Sequence, residues 1–332
     1  MDFLLEMKAK AKSAMKKLVL PEGTDLRTIK AAKAIMDEQL SASVTLLGNV
    51  AEINKIAEKE GIDLKSVNVV FPKNEAKLEQ YSKEYYQLRK HKGMTEEQAK
   101  IDIVDPLRWG AMMVHLGDAD GMVAGAENTT GDVLRAGLAI IGTTPGLKTA
   151  SSAFVMSGMD KQFGEEGNMI FSDCAVIPDP TVEQLADIAQ SAAESCREFL
   201  GVEPVVALLS FSTKGSAQHE LVSKVQAAVE LLRSRKVNFL FDGELQADAA
   251  LIPSIIEKKA PGSSLIGKKV NTIVFPDLSA GNISYKLVQR IGKAEAIGPF
   301  LQGFAKPISD LSRGASIEDV INTSAVTMAR AK

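Results

Sequence analysis

The feature that most restricts the fold is a recurrence of short apolar runs, each followed by a stretch of helical period. Lys17-Leu-Val-Leu-Pro21, Ser43-Val-Thr-Leu-Leu-Gly48 and Val67-Asn-Val-Val-Phe-Pro72 read as strands. Between them Asp25 caps a helix with Ile29, Ala32 and Ile35 on one face, residues 54–61 form a second and residues 77–90 a third. Strands that alternate with helices in this way are βαβ units of a parallel sheet. Ala, Val, Ile and Leu dominate and aromatics make up 5%, as expected where strands are buried on both faces. The pattern recurs downstream. Residues 149–156, 169–177, 205–210, 238–243 and 271–277 read as strands, and residues 181–201, 218–235 and 281–291 as helices.

A chain of 332 residues exceeds the size at which one core stops growing, so two α/β domains are expected. The turn at 142–146 and the region of Gly298-Pro299 mark the boundaries. They give a discontinuous first domain, residues 1–146 with 297–332, and a second of residues 147–296. Net charge is −3, with no block of Lys and Arg, which argues against a nucleic-acid footprint. Met1-Asp-Phe-Leu-Leu-Glu-Met-Lys reads as the start of a short amphipathic helix without the order of a leader. No apolar run approaches the roughly 20 residues of a membrane span. Cys174 and Cys196 form no CxxC pair, and a cytoplasmic protein is expected.

Two loops carry candidate chemistry. Ser312-Arg313-Gly precedes Ser316-Ile-Glu-Asp319, a helix start with Ser316 as cap, and a loop at a helix N-terminus suits an anion. Gly125 to Asp132 follows a buried strand, and Asn128-Thr-Thr-Gly131 places hydroxyls and backbone N–H groups at a second helix start, with Arg135 one turn in. It lacks the Gly-Lys-[Ser/Thr] of a P-loop, and no dinucleotide fingerprint is present. Plain helix caps and solvated turns remain the alternative for both. No metal site is expected: His91, His115 and His219 are scattered, and Asp242, Glu244 and Asp248 read as solvated turn residues before a Mg²⁺ site. The cysteines read as core thiols, and no serine elbow is found.

The runs Leu88-Arg89-Lys-His-Lys-Gly93, Asp118-Ala-Asp-Gly-Met-Val-Ala-Gly-Ala-Glu-Asn-Thr-Thr130, Arg135-Ala-Gly-Leu and Phe241-Asp-Gly-Glu-Leu-Gln-Ala-Asp248 resemble the phosphate acetyltransferase family. So do Phe275-Pro-Asp-Leu-Ser-Ala-Gly-Asn282 and the segment from Gln302-Gly-Phe-Ala-Lys-Pro to Asp319. The resemblance covers nearly the whole chain. It implies two domains, each a mostly parallel sheet flanked by helices, in the architecture of isocitrate and isopropylmalate dehydrogenases, with the active site in the interdomain cleft. It also implies a homodimer and no cofactor beyond CoA as substrate. The reaction implied is reversible transfer of acetyl between CoA and phosphate, so the partners are CoA, acetyl-CoA, phosphate and acetyl phosphate, with no nucleic acid and no membrane.

Ser312, Arg313 and Asp319 match the family's catalytic serine, arginine and aspartate, and Arg89 and Arg135 match arginines that hold substrate. Thr129, Thr130, Gly131, Asn282 and Lys306 complete the expected substrate-binding set. Asp319 would act as base, Ser312 as donor to the tetrahedral intermediate and Arg313 as a clamp. Ala315 stands where a cysteine is frequent, and Ser279 and Ser309 where asparagine is. Alternatives are a phosphate butyryltransferase or other acyl length, a dehydrogenase on a similar scaffold, and a non-catalytic acyl-CoA sensor.

Overall fold

The computed structural model describes residues 3–332, so the first two residues of the expected N-terminal helix lie outside it. The helix itself, α1, spans Phe3–Ala14. There follow β1 (Lys17–Leu20), α2 (Leu26–Asp37), β2 (Ser43–Leu47), α3 (Val50–Lys59), β3 (Asn68–Val70), α4 (Leu78–Arg89), α5 (Glu96–Asp102), α6 (Pro106–Leu116), β4 (Gly121–Ala124) and α7 (Thr130–Ile140). The next stretch holds β5 (Ser151–Ser157), β6 (Met169–Ser172), α8 (Val182–Leu200), β7 (Val205–Leu209), α9 (Glu220–Arg235) and β8 (Leu240–Leu245). It continues through α10 (Ala247–Leu251), α11 (Pro253–Lys259), β9 (Thr272–Val274), α12 (Leu278–Arg290) and β10 (Glu295–Gln302), and β11 (Ile308–Asp310) and α13 (Ile317–Arg330) end the chain.

Two compact units result. One runs through Pro145 and resumes at Phe304–Lys332, and the other is Gly146–Gly303. The return thus falls after all of β10 rather than at its start, because β10 is hydrogen-bonded to β5 along its length.

In the first unit β11, β4, β1, β2 and β3 lie in that order, every pair parallel. All four residues of the inner strand β4 are buried, the environment that favours an unbroken apolar run. Asp25 caps α2 by accepting N–H groups from Arg27 and Thr28, and α2 buries Ile29, Ala32 and Ile35 as its spacing predicts. These pack with Leu18, Leu20, Val44 and Leu46 of the sheet and Val320, Ile321 and Met328 of α13. Burying each such side chain contributes roughly 1.5–3 kcal/mol.

The second unit orders its strands β10, β5, β6, β9, β7, β8. The pairs among β6, β9, β7 and β8 are parallel, and β5 runs against both its neighbours. A short connection joins β5 to β6, which permits only an antiparallel pairing. The expected strand over 169–177 stops at Ser172. The Asp173 carboxylate accepts N–H groups from Ala175 (3.0 Å), Val176 (3.2 Å) and Ile177 (2.8 Å), curling 173–177 into a loop. Beside that loop the Gln302 amide donates to the hydroxyls of Ser151 (2.8 Å) and Ser172 (2.7 Å) and accepts from Ser195 (2.8 Å). It is a core tie, not the beginning of a loop.

Candidate active site

The sequence treats 302–319 as one loop. In the structure β11 occupies Ile308–Asp310, paired in parallel with β4 (Asp310 opposite Ala124), and divides the segment into two irregular stretches, residues 303–307 and Leu311 to Ser316. Within the second, Ala315 N–H donates to the Ser312 carbonyl at 2.8 Å and Gly314 N–H to Ser312 Oγ at 3.2 Å, a tight turn that exposes Ser312 and Arg313. A hydroxyl that accepts in this way keeps its own proton to donate. Ser316 then caps α13 in a reciprocal box. Its Oγ accepts from Asp319 N–H at 3.1 Å, while Asp319 Oδ2 accepts from Ser316 N–H and Oγ, both at 2.8 Å. Both bonds use one carboxylate oxygen, which leaves Oδ1 as the atom able to take a proton.

The loop is held from α2. Arg27 donates through Nη1 to the carbonyls of Arg313 (2.8 Å) and Ala315 (2.9 Å), and through Nη2 to that of Ala126 (2.8 Å) and to Asp25 (2.7 Å). Against the cost of desolvation, the Arg27 guanidinium holds the Asp25 carboxyl below its ordinary value. A planar fork of five donors suits this arrangement, and a point charge does not.

The second loop differs from expectation in a specific way. Its backbone N–H groups are already occupied. Glu22, buried on the turn after β1, accepts from Gly125 (3.0 Å) and Ala126 (2.8 Å) on Oε2 and from Glu127 (3.0 Å) and Asn128 (2.8 Å) on Oε1, with Asn128 Nδ2 also on Oε1 at 2.9 Å. The nest suits an anion, as the sequence suggests, and the protein's own carboxylate fills it. Gly125 adopts φ +112°, and a Cβ there would meet Asp310 Oδ1 and the Leu311 carbonyl at 2.5 Å.

At the start of α7 Thr129 and Asp132 form a second capping box. Asp132 also binds Arg135 Nη2 at 2.5 Å, and the Thr129 hydroxyl followed by Arg135 holds its carboxyl below the usual range. Gly131 leaves the Arg135 guanidinium 3.3 Å from where its Cβ would lie. Thr130 Oγ1 donates to Asp310 Oδ2 at 2.5 Å.

Arg89 and Arg135 come together with Arg108 around a cavity of about 260 Å³, whose walls include Asp105, Asn128 and Asp132. Arg89 is placed there by α4, which is anchored by buried Tyr81 against Trp109 of α6 at 4.4 Å between ring centroids. Three guanidiniums against two carboxylates leave this cavity fit for an anion. A larger, apolar cavity of about 510 Å³ in the second unit, lined by Phe171, Phe211, Leu221 and Phe275 among others, carries no such cations.

Two expected site residues have other employment. The Lys306 ammonium donates to the Val114 (2.7 Å) and His115 (3.0 Å) carbonyls at the C-terminal end of α6, where a cation is favoured by the helix dipole. Asn282, in the second unit, donates to the Cys174 carbonyl at 3.1 Å. Asp242 and Glu244 are not solvated turn residues. Both are 2% exposed on β8, Asp242 bound to Lys214 (2.5 Å) and Ser263 (2.6 Å) and Glu244 to Ser212 (2.9 Å) and Gly215 N–H (2.7 Å), while Asp248 pairs with Lys259 at the surface. Among the described residues no cluster of His, Cys, Asp and Glu is arranged to hold a metal. Ser309 is buried and bonded to Thr327 at 2.7 Å, so its departure from asparagine is a matter of packing.

Glu22, Arg27, Arg108 and Asp310 escape sequence reading. The only local signal is the Pro21-Glu-Gly turn at the end of the first strand, which marks a kink in the chain but not its destination.

Comparison with known proteins shows the family. The family described as phosphate acetyl/butaryl transferase matches residues 2–328. A phosphate acetyltransferase of Treponema pallidum is 57% identical over 331 residues, 99% of this chain and 98% of that one. The crystal structure of a phosphotransacetylase from Streptococcus pyogenes superposes with a TM-score of 0.91 at 38% identity, covering 99% and 98% of the two chains. At the level of fold alone, a putative 4-hydroxythreonine-4-phosphate dehydrogenase from Salmonella typhimurium is similar, with a TM-score of 0.55 at 10% identity over 95% of this chain and 99% of that one. With a match across almost its whole length, the chain belongs to the phosphate acetyl/butaryl transferase family.

Proposed function

We propose that this chain catalyses reversible transfer of an acetyl group between CoA and inorganic phosphate, giving CoA and acetyl phosphate from acetyl-CoA. The observation that carries the reading is 57% identity to a phosphate acetyltransferase over 99% of the chain, supported by the exposed Ser312-Arg313 turn and by Asp319 at the start of the helix that follows it.

The transfer proceeds in a ternary complex. A phosphate oxygen attacks the thioester carbon, Ser312 donates its free proton as a hydrogen bond to the oxyanion, and Arg313 clamps the phosphate. The intermediate collapses with cleavage of the C–S bond as the departing sulfur takes a proton from Asp319 Oδ1. In the reverse direction the CoA thiol loses its proton to Asp319 Oδ1. An ordinary carboxyl near 3.9 and a thiol near 8.5 are mismatched by about 4–5 units, on the order of 6 kcal/mol. Proton removal therefore accompanies C–S bond formation, when the sulfur becomes far more acidic. The cavity of Arg89, Arg135 and Arg108 is assigned to CoA's phosphates. Thr129, Thr130 and Gly131 shape its approach, and Lys306 and Asn282 act through the carbonyls they hold. The transfer as written requires no resident cofactor.

We assign a homodimer and a cytoplasmic location as well. Ile283, Leu287 and Ile291 form an exposed apolar stripe along α12, 56%, 51% and 76% accessible, which favours burial against a second copy. No helix among the described residues is long and apolar enough to cross a membrane.

The test is phosphate-dependent consumption of acetyl-CoA. Wild type should turn over, and Ser312→Ala should lose most of its rate. Failure of the wild type to turn over acetyl-CoA with phosphate would sink the reading, and a faster rate with butyryl-CoA would move it to the butyryl branch. Trapping a labelled acetyl-enzyme without CoA would overturn direct transfer. Light scattering reads the dimer, which Leu287→Asp should weaken.

A further inference from the structure

Glu22 and Asp310 are buried carboxylates that act on each other, and they are satisfied very differently. Glu22 accepts five hydrogen bonds. Asp310, 4% exposed, accepts from Thr130 on Oδ2, and its buried Oδ1 has no partner among the described residues. Room for that oxygen exists only because residue 125 lacks a side chain. Burial pushes the Asp310 carboxyl up to about 6; the Thr130 hydroxyl opposes the rise, the Glu22 charge adds to it, and the nearby Leu311 N–H, whose hydrogen bond goes to the Ala124 carbonyl, opposes it more weakly. Of the elements around it, the turn after β1 brings the charged Glu22, α7 brings Thr130, and the end of β4 brings Gly125.

A half-satisfied buried carboxylate lowers stability, and an asparagine would fill the same space without ionising. What ionisation adds is a strong acceptor for Thr130. Glu22 fixes residues 125–128 and goes no further. The first residue of α7 is fixed by Asp310, which the pairing of β11 with β4 holds in register two residues before Ser312.

We propose that Asp310 is a positioning residue for the transfer: through Thr130 it sets the start of α7, with Thr129 to Arg135, against the turn that presents Ser312 and Arg313. The inference rests on the function proposed above. It makes the ionised form of Asp310 the competent one.

The experiment compares wild type, Asp310→Asn and Thr130→Val by kcat and KM across pH 5–9, with thermal melts of each. Asp310→Asn should keep or raise the Tm at pH 7.5, lower kcat/KM about tenfold or more, and abolish an acid limb near pH 6. Thr130→Val, which removes the bond through which Asp310 acts, should likewise lower kcat/KM about tenfold and flatten that limb. If Asp310→Asn keeps the wild-type rate and limb, the inference falls. A rate loss matched by an equal loss of Tm, with the limb unchanged, would make Asp310 merely structural and also overturn it. Wild type inactive in phosphate-dependent transfer would overturn the functional reading and this inference together, whereas an active wild type with unaltered variant profiles overturns the inference alone.

Discussion

Arg27 Nη1 lies 2.8 Å from the carbonyl oxygen of Arg313 and 2.9 Å from that of Ala315, so one guanidinium on α2 fixes the turn that presents Ser312. Lysine keeps the charge but cannot span these acceptors together with Ala126 and Asp25. Arg27→Lys should therefore reduce kcat/KM by about ten- to a hundredfold, as small misplacements of reacting groups do. Steady-state kinetics checks this, and a variant with wild-type kcat/KM would show that the turn holds itself.

Glu22 makes a second prediction. Glutamine retains one acceptor oxygen and turns an NH₂ group toward backbone donors. Glu22→Gln should cost about 3 kcal/mol, since hydrogen bonds to a charged acceptor contribute about 1.5–3 kcal/mol each. In a domain of this size that lowers the Tm by roughly 6–12 °C. Differential scanning calorimetry reads it directly, and an unchanged Tm would mean that water replaces the carboxylate in the nest.

Asp319 serves both as half of a helix cap and as the proposed base, and the two roles separate by substitution. Asp319→Asn can still accept from Ser316 N–H, so its Tm should stay within a few degrees of wild type while turnover falls at least about a hundredfold, within the range of lost base catalysis. Ser316→Ala should do the reverse, losing about 1 kcal/mol of stability with most of its rate intact. Near-normal turnover of Asp319→Asn would remove it from the mechanism.

A fourth prediction concerns pH. Against desolvation, Lys77 and Tyr81 hold the Asp118 carboxyl below its ordinary value. A carboxyl with a lowered folded pKa contributes stability above its unfolded value, near 3.9, and loses it as pH falls through the folded one. Asp118→Asn should thus be destabilised relative to wild type at pH 7, with the gap closing below about pH 4. Chemical denaturation at pH 7 and pH 3 measures the two gaps, and a gap that widens in acid would reverse the assignment.

The sequence exposes what local rules govern. Apolar runs locate β1, β2, β4 and β7, and capping chemistry locates α2 and α13, where Asp25 and Ser316 cap as read. It conceals elements whose identity is set from outside. β10 carries Gly298-Pro299 in its middle, at a register irregularity of an edge strand, so it reads as a boundary. β11 is three residues long, and only its pairing with β4 makes it a strand. α3 begins at Val50 rather than residue 54 because Asn49 caps it, accepting from Ala51 and Glu52. In the site, the motif residues Ser312, Arg313 and Asp319 are legible. Glu22 and Arg27 are not, because their partners lie about 100 to 290 residues away and nothing local encodes them.

The discontinuity of the first unit has a consequence for biosynthesis. Leu311, Ala315, Val320, Ile321, Ala325 and Met328 belong to the same core cluster as β1, β2 and α2, and β11 supplies the strand beside β4. A nascent chain that has reached Gly303 holds every residue of the contiguous second unit but leaves the first with an open sheet edge and an uncovered apolar face. The second unit can therefore fold while translation continues, whereas the first must wait for β11 and α13 to emerge. Until then its longest-exposed surface is the bare flank of β4, the place where a chaperone would bind and where nascent copies would stick to one another.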